Sequence, residues 1–358
     1  MKNIWLNRTD LLQANNYIYG DGYNADFYYD VLNANSIPIE GFIRAYSAKK
    51  ELHGLPIVEL KDILGENVNI LVTQNKWMDV LDFLSEVVPE NNIYTLGNWR
   101  EGEKCIVCGE KHTIKAGGAF LPFIEARMFA GNRVETAIVH CSKCRVYYSE
   151  YRPDDEEMAR LYTGYRNREY QEQRQKYEPG YTAEYNEWLS DSSVIMQRKK
   201  GIYDYITNFI KDTSNWHTIL DFGGDKGQLF PDEWEDKQRI VYEISKPDVC
   251  EGIKLVSDYS ELSSYSPDLI MCNQVMEHVS DIREYFANLI KLLKEGGYLY
   301  IEVPNERWCV DLEYVRFCEH INFFSEKTFR ELAKQFAVEL VDVRISNDGL
   351  VLRSLFRK

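Results

Sequence analysis

The chain has 358 residues, 28% of them charged and 44% apolar, and carries a formal charge of −15 with a pI near 5.0. That length and apolar content suffice for two domains and a small third element. The acidic balance opposes a nucleic-acid backbone as main partner, since that binding needs clustered Lys and Arg; the absence of an apolar leader in Met1 to Arg8, or of any run of about 18 apolar residues, predicts neither a secretion signal nor a membrane span, and hence a cytoplasmic location.

In the first hundred residues, Asn16 to Ala25 reads as a strand, a glycine turn at Gly20-Asp21-Gly22 and a helix start, followed by a second short strand, Ile39 to Ile43. Glycines there let amides point at a phosphate beside a helix N-terminus. Arg44 stands where a dinucleotide fold prefers an acid, which argues against NAD. Gly54 to Leu60 reads as a connector and Asn69 to Thr73 as another strand. The tract resembles the small Rossmann-like domain of sugar acyltransferases and the terminal domain of sugar C-methyltransferases. A domain over 1–100 is expected, either a nucleotide-sugar anchor or a bare structural unit.

Cys105-Ile106-Val107-Cys108 and Cys141-Ser142-Lys143-Cys144 are two C-x-x-C knuckles separated by 32 residues. Such knuckles turn two thiolates each toward one centre, and in a cytoplasmic chain a closed Zn²⁺ site is favoured over two disulfides. Cys105, Cys108, Cys141 and Cys144 are therefore the expected ligands of a structural zinc ribbon over 101–150. His112 and His140 lie nearby, but four thiolates saturate zinc. Cys250, Cys272, Cys309 and Cys318 lack knuckle spacing and read as ordinary buried thiols. Residues 151–200 read as a helical connector whose tyrosines, from Tyr162 to Tyr185, either cover a substrate cleft or form a solvated face.

Beyond residue 201, Thr218 to Phe222 reads as a buried strand opening into Gly223-Gly224-Asp225-Lys226-Gly227. A second strand, Arg239 to Glu243, ends in a carboxylate 22 residues after Asp221, placed to accept from ribose hydroxyls. The alternation continues through strands Lys254–Asp258 and Asp268–Cys272, a helix Asp281–Glu295 stopped by Gly296-Gly297, and strand Tyr298–Val303. This order, with Asn273-Gln274-Val275-Met276-Glu277-His278-Val279 after the fourth strand, resembles the class I S-adenosylmethionine-dependent methyltransferases. The resemblance implies a seven-stranded Rossmann-like α/β domain over 201–358. It also implies a donor site at Asp221, Gly223, Gly224, Gly227 and Asn273, with Glu243 on the ribose and Asp258 on the adenine amine. The family's D-x-G-x-G-x-G turn is altered here, with Asp225 at the middle glycine position; its carboxylate is expected to turn outward or to meet the donor's ammonium group.

A zinc ribbon, a Tyr-rich connector and this pattern together are similar to the methyltransferases of nucleotide-linked deoxysugars. Their acid–histidine pair matches Glu319-His320, which implies His320 as base, assisted by Glu319, with His278 on the same rim. Phe317 replaces the tyrosine that such C-methyltransferases carry two positions before the pair. The terminal strands Val338–Ser346 and Leu350–Phe356 read as a hairpin, and no large C-terminal domain of that family's kind is expected. The expected function is methylation, on oxygen or carbon, of a nucleotide-activated or glycan-precursor sugar as small-molecule substrate, using S-adenosylmethionine and structural Zn²⁺. The competing reading is a noncatalytic nucleotide-sugar-binding scaffold. An RNA methyltransferase using the ribbon as a clamp is opposed by the charge.

Overall fold

The computed structural model describes residues 2–4, 7–45, 48–64, 67–73, 77–89, 92–95, 100–111, 113–165, 167–188, 191–306 and 314–358. His112, Arg166 and Cys309 lie outside them.

Three sheets organise the chain. The first comprises β1 (Lys2–Asn3), β2 (Asn15–Tyr19), β3 (Gly41–Ile43), β4 (Glu51–Leu52), β5 (Leu55–Val58), β6 (Val68–Val72) and β7 (Ile93–Thr95), in the order β1-β7-β6-β2-β3-β5-β4. All its pairs are parallel except β4 with β5. The stretch read as a connector thus supplies β5. Its close pairing with β3 requires Gly41, where a Cβ would lie 2.7 Å from the Pro56 carbonyl oxygen.

The second sheet is built on β8 (Arg100–Glu101), β9 (Thr113–Phe120), β10 (Glu135–Cys141) and β11 (Tyr147–Ser149). The third contains β12 (Thr218–Phe222), β13 (Gln238–Tyr242), β14 (Ile253–Val256), β15 (Leu269–Asn273), β16 (Tyr298–Pro304), β19 (Glu339–Ile345) and β20 (Val351–Arg357), in the order β14-β13-β12-β15-β16-β20-β19. Its first five strands are parallel and the last two antiparallel, an α/β arrangement of Rossmann-like type. Every residue of β12 and β15 is buried, as strands covered on both faces require.

Two strands correct the expected boundaries. β17 (Tyr314–Phe317) and β18 (Asn322–Phe323) pair with β9 and β11, so residues on either side of Glu319-His320 complete the second sheet although they follow β16 in the chain. A cut at residue 201 therefore runs through a hydrogen-bonded sheet.

The helix before β16 spans Ile282–Leu292 and is shorter than its pattern predicts. Asp281 caps it by accepting from the Glu284 amide at 2.9 Å; Ile282, Phe286, Leu289 and Leu292 bury one face, and Leu293 turns extended. Cys250 is exposed, against its reading as a buried thiol, whereas Cys272 is buried beside the Tyr285 hydroxyl and Cys318 is half-buried. Among the described residues no helix is long and apolar enough to cross a membrane.

Candidate active site and metal centre

The four cysteines meet where the second sheet abuts the third. Cys105 Sγ lies 3.6 Å from Cys144 Sγ, and Cys108 Sγ lies 3.5 Å from Cys141 Sγ. All four sulfurs fall within 4.8 Å of one another, and none is in a disulfide. Tetrahedral zinc with bonds of about 2.3 Å places sulfurs about 3.8 Å apart, so the set fits Zn²⁺. His140 is buried with its ring stacked on Tyr147 at 4.0 Å between centroids, outside the four-cysteine cluster.

The second site forms at the carboxyl ends of β12, β15 and β16, where open α/β sheets bind ligands. Asp221, next to last in β12, is buried, and burial pushes its carboxyl up to about 7. The Asn273 side-chain amide donates to its Oδ1 at 3.1 Å. Among the described residues neither Asp221 Oδ2 nor Asn273 Oδ1 has a hydrogen-bond partner. A Cβ on Gly224 would lie 2.6 Å from the Asp221 carboxylate, and one on Gly223 2.8 Å from Val275, so both glycines make room at the mouth of the strand. Gly227 differs: its Cβ would lie 2.6 Å from Ile253 and 3.0 Å from Val241, which makes it a packing glycine rather than one that admits a ligand. Asp225 does not turn outward. It takes φ of 49°, lines the cavity and accepts from Gln228 Nε2 at 3.2 Å.

A cavity of about 670 Å³ runs from Asp221, Gly223 and Gly224 to His278, Glu319 and His320, beneath Tyr165, Tyr181 and Tyr185. Glu243, Asp258 and Gly227 do not line it. Glu243 accepts from the Ser245 amide at 3.0 Å, and Asp258 caps the turn Tyr259–Ser264 by accepting from Ser260.

At its far end the two histidine rings lie 4.8 Å apart between centroids. His278 Nδ1 is 3.0 Å from the Glu319 carbonyl oxygen and 2.8 Å from the Tyr162 hydroxyl. Burial, and then the neighbouring His320, pull its pKa down to about 4. His320 Nδ1 bonds the Glu306 carboxylate. Burial lowers the His320 pKa, but the Glu306 bond and the charges of Glu277 and Glu319 outweigh it and raise the ring to about 9. Among these carboxylates His320 holds its proton at neutral pH, against the expectation of a neutral base. Nor does Glu319 orient it: that carboxylate is gripped by Arg174 through two bonds of 3.0 and 3.2 Å, and Arg174 also lies over the Tyr181 ring.

Glu306 and Glu277 escaped the sequence reading. Glu306 lies 14 residues before His320, with nothing local to signal the pairing. Glu277 sits in the motif beside His278, yet the residue is 1% exposed, and burial pushes its pKa up to about 8. Phe317 is fully buried against Phe120 and Phe323, so the missing phenol is replaced by core packing.

A family model described as "Methyltransferase domain" matches residues 162–343, just over half the chain. No curated protein matches. Among solved structures, the chain is similar to an S-adenosylmethionine-dependent methyltransferase from Clostridium acetobutylicum, at 13% identity over 43% of this chain and 88% of that one, with a TM-score of 0.34. It is also similar to the 1,6-didemethyltoxoflavin-N1-methyltransferase of Burkholderia thailandensis, at 14% identity over 62% and 95%, with a TM-score of 0.40. The CurJ carbon methyltransferase aligns at 10% identity over 47% of this chain and 56% of its own, with a TM-score of 0.37.

Proposed function

The chain belongs to the methyltransferase-domain family, and from that premise we propose that this S-adenosylmethionine-dependent enzyme methylates a hydroxyl of a sugar-like small molecule, of the nucleotide-activated or glycan-precursor kind. The observation that carries the reading is the continuous cavity joining the Gly223-Gly224 turn to the Glu277–His278–His320 corner.

Asp221 Oδ2 and Asn273 Oδ1 are buried acceptors awaiting a donor, and both residues line the cavity; they suit the ammonium group of S-adenosylmethionine. Gly223 and Gly224 leave the space its amino-acid end needs. Glu243 and Asp258, at the ends of the neighbouring strands, extend the site toward ribose and adenine. Bound there, S-adenosylmethionine supplies an electrophilic methyl group on a sulfonium sulfur.

The acceptor's place is between that turn and the two histidines. Tyr165, Tyr181 and Tyr185 line the cavity and give it aromatic surface suited to the apolar side of a sugar. The bidentate Arg174–Glu319 pair holds the loop that carries His320 against the helix Arg168–Tyr177. His278, whose ring stays neutral, presents an imidazole nitrogen for the acceptor's proton, and the charged His320 beside it donates to the acceptor oxygen. Oxygen is favoured over carbon because the phenol that sugar C-methyltransferases carry two positions before the acid–histidine pair is here Phe317, buried away from the cavity. The four cysteines hold structural zinc in the same reading.

The test is calorimetry with S-adenosylmethionine and its demethylated product, then product analysis across a nucleotide-sugar panel. A new methyl ether is expected; a new carbon–carbon bond would replace the hydroxyl reading, and turnover of no sugar would remove the substrate class.

A further inference from the structure

We propose that Glu277, His278 and His320 form a divalent-metal site at the acceptor end of the cavity, separate from the four-cysteine centre. One donor atom from each lies within 4.8 Å of the others, and all three residues line the cavity. This deepens the proposed function, and its role there rests on that reading, but its existence does not.

Three features distinguish the cluster from a chance meeting of polar groups. The Glu277 carboxylate is almost completely buried, and among the described residues neither oxygen has a hydrogen-bond partner. An unpartnered carboxylate at that depth is costly unless a proton or a cation satisfies it. Next, the group facing it at 3.8 Å is His278 Nε2. His278 Nδ1 is already engaged by the Glu319 carbonyl and the Tyr162 hydroxyl, so Nε2 is the ring nitrogen that faces the Glu277 carboxylate. A ring nitrogen and a carboxylate facing each other at that separation leave room for a proton or a cation between them.

Finally, both imidazoles have Nδ1 tied to a carbonyl or carboxylate oxygen, the support that metal-bound histidines use when Nε2 is the ligand. For His278 the support is the Glu319 carbonyl; for His320 it is Glu306. Glu319's own carboxylate is occupied by Arg174 and does not compete for the ion.

Two imidazoles and one carboxylate make a mixed nitrogen–oxygen set, which suits Mn²⁺, Fe²⁺, Co²⁺, Ni²⁺ or Zn²⁺ better than Ca²⁺ or Mg²⁺. Three protein ligands leave positions open toward the cavity, where acceptor oxygens would coordinate. The ligand class is therefore a small molecule presenting one or two oxygens, such as a vicinal diol or hydroxy-ketone.

The experiment uses full-length protein with zinc retained in the thiolate centre, which Mn²⁺ does not displace because it prefers harder ligands. Titration with Mn²⁺, followed by electron paramagnetic resonance, should show one saturable site. Glu277→Gln should weaken it at least tenfold while leaving calorimetric S-adenosylmethionine affinity within twofold, which certifies the fold. Glu306→Gln, which alters only the support of His320, should weaken it about tenfold or more. No saturable site for Mn²⁺, Co²⁺ or Zn²⁺ beyond the thiolate centre, or unchanged affinity in both variants, overturns the proposal. Metal binding without sugar methylation would sink the acceptor reading and leave the site standing. Undiminished methylation after chelation that spares the thiolate zinc would remove the metal's role and leave the enzyme reading intact.

Discussion

Gly224 and Gly227 stand three residues apart in one turn, yet their surroundings assign them different tasks. A methyl group on Gly224 meets the Asp221 carboxylate at 2.6 Å, so Gly224→Ala must displace Asp221 and disturb its bond to Asn273. Donor affinity should fall about tenfold, roughly 1.4 kcal/mol, with little change in the urea midpoint. Gly227→Ala strikes Ile253 and Val241 and must hold a φ of 76° with a side chain. That variant should lose about 1–3 kcal/mol of stability, read by urea denaturation. A reversed pattern would contradict the donor placement. His320→Ala should reduce turnover about a hundredfold or more while calorimetric donor affinity stays within a few-fold, because His320 sits at the acceptor end. Near-normal turnover would sink that assignment. The His278 and His320 positions were legible from motif order. Glu306 was not, since its pairing with His320 depends on how the chain returns after β16, and Glu277 was overlooked because a motif conveys neither burial nor an unpartnered carboxylate.

At the opposite end of the third sheet one carboxylate ties the start of β15 to the start of β12. Asp268, immediately before β15, accepts the backbone amides of His217 and Thr218 at 2.7 and 2.9 Å, at the start of β12, and pairs with Lys294. Burial raises its pKa, but the Lys294 bond and the two amides outweigh that and hold it below the usual carboxylate range. A folded-state pKa below the unfolded one contributes stability that is complete above about pH 4 and is lost as pH falls through the folded value. Asp268→Asn should thus cost about 1.5–3 kcal/mol at pH 7, as hydrogen bonds to a charged group do. The wild-type advantage should shrink toward pH 3, and urea midpoints at both pH values check it; an equal gap at both would refute the account. Apolar runs and their bounding glycines made the strands of this sheet readable within a residue or two. β5 was missed because Pro56 and the short Leu55–Val58 span mimic a linker, and the pairing of β17 and β18 with the second sheet was invisible because it joins residues some 170 to 200 apart.

Across the whole molecule the cysteine centre behaves as a hub. Cys105, Cys141, Cys144, Val107 and Tyr148 share one buried cluster with Leu220, Ile270, Phe286 and Leu299 around the third sheet. The other side of the second sheet, through Phe120, Ile138 and Phe317, shares a cluster with Ile70, Val72 and Leu81 around the first. The hydroxyls of Ser325 and Thr328 donate to the Cys144 carbonyl, at 3.3 and 2.9 Å, tying the knuckle to the start of the helix Glu326–Gln335. Loss of zinc should therefore unseat both neighbouring sheets rather than fray a surface loop. Native protein should contain one zinc per chain, and Cys105→Ser should lose it. The expected loss is about 4 kcal/mol or more, which lowers the unfolding midpoint by roughly 5 °C for a chain of 358 residues that unfolds as one unit. Hydrogen exchange makes the distinctive reading: amides of β6 and β12, on opposite sides of the centre, should lose protection together. Since β17 and β18 flank His320 within the second sheet, turnover should collapse with them. Zinc-free protein that keeps its midpoint, or thiols found paired as disulfides, would remove the hub from this architecture.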